Sequence, residues 1–87
     1  MTEEEFVGVL EGIVKWFSYR KGFGHITTKI NGVDQDVFVH YAAIPGQPGE
    51  KKLHTDERVT MEVYKHTSGE HLGQYFTKKI LLAVRMQ

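Results

Sequence analysis

An all-β fold of five short strands, a small barrel or sandwich, follows from three observations on the sequence. β-Branched and aromatic residues recur in short runs, glycines punctuate those runs at intervals, and no stretch carries the apolar spacing of a three-turn helix. At 87 residues the chain supports one core and therefore one domain. Hydrophobic residues at 40% and charged residues at 25% are enough to fold it rather than leave it disordered.

The strands are predicted at residues 9–18, 22–30, 36–41, 58–65 and 74–82. Residues 1–8, which contain Glu3, Glu4 and Glu5, read as a flexible acidic lead-in to a domain spanning 9–87. In the first strand, "VLEGIVKWFS", the adjacent Trp16 and Phe17 cannot both obey strict alternation. One of them therefore sits at a bulge or strand end, and Trp16 is assigned to the exposed side with Phe17 at the margin. The turn "SYRKG" leads into the second strand, and "NGVDQ" joins the second to the third through an Asn-Gly pair favoured in tight hairpins. After Tyr41, Pro45 and Pro48 with neighbouring glycines exclude regular pairing and produce a long surface crossover. "HTSGEHLG" links the last two strands, and consecutive strands are expected to pair mostly as antiparallel neighbours.

Strand side chains alternate between faces, so residue parity separates core from surface. Val37 and Val39 share a face with Ile26 and with Gly22 and Gly24, and claim the core; Val59, Met61 and Val63 do the same in the fourth strand. The opposite face of the second and third strands carries Phe23, His25, Phe38 and His40 where polar groups are normal. A chain this small has too few strands to bury those rings in a second core. Left in water they forfeit roughly 25 cal/mol per Å² of apolar surface. An exposed aromatic platform awaiting a partner is the reading that accounts for them.

Formal net charge is zero, yet residues 15–29 hold Lys15, Arg20, Lys21 and Lys29 with no acid. Rings interleaved with cations suit single-stranded nucleic acid, because every base has a π-face to stack and every linkage a phosphate to neutralise. The competing reading is a protein-interaction module, which explains the rings but not the cations. Catalysis and metal binding find no constellation: cysteine is absent, and the five histidines lack companions at ligand spacing. No cofactor is therefore expected. An acidic start and the lack of a long apolar run point to the cytoplasm and to no membrane partner.

The runs "GIVKWFSYRKGFGHI" and "DVFVH" resemble the two ribonucleoprotein-type signatures of the cold-shock domain family, with a likeness extending from about Val9 to Val63. That resemblance implies a five-stranded antiparallel OB-fold barrel binding single-stranded RNA or DNA on the face of strands one to three, and the role expected of such a face is that of a non-enzymatic nucleic-acid chaperone. By position it implies base stacking or contact by Lys15, Trp16, Phe17, Phe23, Phe38 and His40, a backbone contact by Lys21, a fixing role for Asp36, and an aromatic site at Tyr41. Arg20 joins the cations, and Ser18 stands at a contact position where the family commonly has Asn. His25 replaces an aromatic residue and, once protonated, adds a phosphate contact, so binding is expected to strengthen below neutral pH. The hairpin between Ile26 and Asp36 reads about three residues longer than the family's usual one, within ordinary loop variation. Glu50 stands where a Phe is common, with Lys51 and Lys52 beside it for phosphate. The chain is expected to be a monomer, and the apolar run "ILLAV" offers an edge for pairing with a second copy.

Overall fold

The computed structural model describes residues 3–46 and 51–84. Five strands appear in the expected order: β1 (Glu4–Ser18), β2 (Phe23–Ile30), β3 (Val33–His40), β4 (Arg58–His66) and β5 (Tyr75–Val84), with a 3-10 turn at Tyr41–Ala43. They close into a barrel in the order β1-β2-β3-β5-β4, the OB-type arrangement that the resemblance implies. Consecutive strands pair antiparallel except across the long crossover, where β3 joins β5 instead of β4, and joins it in parallel. Closure of a small barrel demands this, since β4 returns along β1 and only β5 is left to meet β3.

Each strand contributes fully buried side chains to one core. Val14 comes from β1, Ile26 from β2, Val37 and Val39 from β3, Val59, Met61 and Val63 from β4, and Ile80 from β5. Each such burial contributes about 1.5–3 kcal/mol. Ala43, Ile44 and Leu53, on either side of the crossover, join the same core. The crossover then docks on β1: the Val14 N–H donates to the Glu57 carbonyl at 2.9 Å, and the Asp56 N–H donates to the Val14 carbonyl at 2.9 Å. Glu57 is buried because its carboxylate accepts the His54 N–H at 2.9 Å.

Two expectations are corrected. Residues 4–8 are not a lead-in but the start of β1, paired with β4 from Glu4 opposite His66 onward. Glu3 is tied down as well, its N–H donating to Ser68 Oγ and its carbonyl accepting from Thr67. The β2–β3 hairpin is tight, because Asn31 and Gly32 adopt φ of 54° and 79°, the type I′ pattern that matches strand twist. Pairing therefore resumes at Val33 rather than at residue 36, and the extra residues lengthen the strands instead of the loop. The "ILLAV" run lies in β5 beside β4, with Ile80 in the core, Leu82 opposite Thr60 and Ala83 opposite Val59, while β3 meets β5 only at Tyr75–Thr77. Glu50 lies outside the described residues.

Candidate nucleic-acid interface

The platform begins at a fault in β1. Register shifts between Val14 and Trp16, so Lys15 is an extra residue and both Lys15 and Trp16 point outward. Alternation resumes with Phe17 turned to the barrel side, where it packs against the core. This resolves the adjacent aromatics. Trp16 faces solvent at 36% exposure, while Phe17 supports the wall from below and is not brought into the ring cluster. Gly24 makes the arrangement possible, because a Cβ there would lie 2.2 Å from the Trp16 carbonyl oxygen and 2.7 Å from Phe17 Cα. Only glycine lets β2 approach the bulged strand so closely.

Above this seam the rings meet edge to face or tilted. Trp16 lies 5.8 Å from Phe23 and 5.0 Å from His25 between ring centroids, and Phe38 lies 5.7 Å from Phe23 and 6.4 Å from His25. Phe38 is 40% exposed although it sits mid-strand, flanked by the fully buried Val37 and Val39. The geometry leaves ring surface of Trp16 and Phe38 open to water. Tyr41, 48% exposed, forms a second cluster with His40 at 4.5 Å. It is held by its N–H donating to the Gly22 carbonyl at 2.8 Å and by its ring resting on Gly22, where a Cβ would come within 3.0 Å of it. Gly22 has φ of 78°, so the β1–β2 turn requires glycine for conformation as well as for space.

The cations surround the rings. Lys15 Nζ is 3.4 Å from Asp36 Oδ2, and His25 Nδ1 is 3.9 Å from the same oxygen. Asp36 thus stands beside two groups at the edge of the cluster. Arg20 and Lys21 are exposed in the β1–β2 turn. Lys29 stands apart, paired with Asp34 at 3.3 Å toward the far hairpin. Two of the expected contact residues have local structural work: Ser18 Oγ accepts the Lys21 N–H at 3.2 Å, and His40 Nδ1 accepts the Ala42 N–H at 3.2 Å to cap the 3-10 turn.

Sequence reasoning passed over Tyr19. It is 61% exposed in the β1–β2 turn with Lys52 Nζ 5.4 Å from its ring, just as Lys51 lies 6.0 Å from Tyr41. An aromatic residue inside a turn of polar and small residues was the available signal. The crossover lysines thus return to the same face as the β1–β2 turn, which spacing along the chain does not reveal.

Comparison with known proteins agrees with this geometry. Residues 10–72 match the family model described as the 'Cold-shock' DNA-binding domain. The cold shock-like protein CspD of Haemophilus influenzae is 43% identical over 60 residues, covering 69% of this chain and 79% of the relative. The major cold shock protein of Micrococcus luteus is 43% identical and the cold shock protein CspD of Bacillus subtilis 45% identical, each over 58 residues, with 67% of this chain and 82% of the relative covered.

Proposed function

This chain belongs to the 'Cold-shock' DNA-binding domain family, and on that premise we propose that it is a non-catalytic chaperone of single-stranded RNA or DNA. Unpaired bases stack on Trp16, Phe23, His25 and Phe38, and continue toward His40 and Tyr41. Lys15, Arg20, Lys21, Lys51 and Lys52 neutralise the phosphates. The observation that carries this reading is the outward row of rings above a core already complete without them.

Stacking explains both preference and mechanism. Duplex bases are already stacked on one another, so rings capture only the open strand, and each stack contributes ~1–3 kcal/mol. A ligand that binds one state alone draws the equilibrium toward it, so hairpins melt without nucleotide hydrolysis. Sequence preference is weak, because any base offers a π-face. The protein works as a monomer in the cytoplasm.

Trp16 is the only tryptophan, which makes its fluorescence a direct report on the platform. Titration with oligothymidylate and with matched single-stranded RNA should quench it saturably, whereas duplex DNA of equal length should not. Emission unaffected by either single strand would remove the proposal.

A further inference from the structure

The aromatic row does not stop at β3. Cross-strand partners run from Trp16 to His25 to Phe38, and then on through Phe76 in β5 and Tyr64 in β4 to Phe6 at the other end of β1. Because barrel closure staggers the strands, following one rung around the wall returns to the first strand at a displaced position. Here that rung is aromatic at every strand it crosses. Tyr64 is 5.3 Å from Phe6 and 5.7 Å from Phe76, and His66 stacks on Phe76 at 4.2 Å. Phe6 is 54% exposed, although it lies in a strand with a partner. Phe6 and Phe76 both fall outside residues 10–72, so the family match does not account for them.

Between the two halves of the row lies a groove of about 680 Å³, flanked by Phe38 on one side and Phe76 on the other. Its lining includes Asp36, Gln35, Gln74 and His71, groups able to pair with base edges rather than with phosphate. Lysines accompany this second set of rings too. Lys78 Nζ lies 4.8 Å from the Tyr64 centroid while ion-paired with Glu4, and Lys65 Nζ lies 5.7 Å from the Tyr75 centroid. Glu5 and Glu62 stand opposite Lys65 and Lys79 in register, so this half binds by stacking more than by charge.

We infer that Phe76, Tyr64 and Phe6 form a second stacking platform, onto which a single strand bound at Trp16–Phe38 continues across the groove. The inference rests on the proposed function of the first platform. Lysine over the rings favours this occupant over a second protein copy, because lysine is depleted from the cores of protein interfaces. Continuity of register with the first platform favours it further. A base arriving at Tyr64 displaces the Lys78 ammonium, which stays close enough to meet the adjoining phosphate.

The test is length dependence in the full chain, using oligothymidylates of about four and about twelve nucleotides. Phe6→Ala and Tyr64→Ala should each weaken the longer oligomer about fivefold or more and leave the shorter one at wild-type affinity. Tyr64→Phe, which keeps the ring, should restore long-oligomer binding, and thermal melts establish that each variant is folded. Phe38→Ala should weaken both lengths, and failure of that variant alone would indict the first platform rather than the second. If Phe38→Ala weakens binding while Phe6→Ala and Tyr64→Ala bind the long oligomer like wild type, the second platform is overturned. Sedimentation that reveals a dimer dispersed by Phe6→Ala, with long-oligomer affinity unchanged, would overturn it in favour of a second copy.

Discussion

On the proposed function, Phe38 is the position at which binding and folding separate. Its neighbours Val37 and Val39 are fully buried, while its own ring stands in water against Phe23 and His25. Phe38→Ala is therefore expected to cost ~1–3 kcal/mol of oligonucleotide affinity with little change in melting temperature, as checked by fluorescence titration alongside a thermal melt. Val39→Ala should do the reverse, because it removes packed core volume and touches no exposed ring. Ser18 and His40 are different cases. Each holds a backbone N–H in place, so part of any loss on their substitution comes through the turn that carries Arg20 and Lys21 or through Tyr41.

Among elements, the β1–β2 seam decides whether the platform exists. The bulge at Lys15 turns Trp16 outward, and Gly24 admits the bulged strand against β2. Gly24→Ala places a methyl group against the Trp16 carbonyl and Phe17, both close to backbone that has no flexible end to yield. The expected result is a loss of ~1–3 kcal/mol or more in denaturant unfolding, with Trp16 emission altered even in the absence of nucleic acid. A variant that unfolds and emits like wild type would mean that the two strands are not this close.

For the whole molecule, closure depends on β5, which the family match at residues 10–72 does not reach. It supplies Ile80 to the core and, among the described residues, the seam that joins β3 to the rest of the sheet on the side away from β2. Ile80→Ala should cost ~2–5 kcal/mol, a large share of the ~5–15 kcal/mol expected for a domain of any size. A chain ending before Tyr75 should lose cooperative unfolding in calorimetry. The zero net charge has a further consequence at this scale. On the proposed function, attraction for a single strand comes from the lysines gathered on one face, so affinity should fall with salt at a log–log slope of ~0.7 per phosphate contacted. A salt-independent affinity would favour an apolar peptide partner.

Alternation of residue type by itself determined the number of strands, the inward valines and the outward rings, because a pleated strand sends neighbouring side chains to opposite faces whatever surrounds it. The ordered run from Lys15 to His40 likewise made the first platform legible. What only the tertiary structure decided is everything that crosses between distant strands. The parallel β3–β5 seam, the return of Lys51 and Lys52 to the β1–β2 turn, and the alignment of Phe76, Tyr64 and Phe6 with Phe38 all depend on register around a closed barrel. The first residues looked like a tail for the same reason: Glu4 to Phe6 have strand neighbours only because β4, about sixty positions along the chain, comes back to lie beside them. Local sequence sets which way a side chain points, but which chain segment it then faces is set by the free energy of closing the whole sheet.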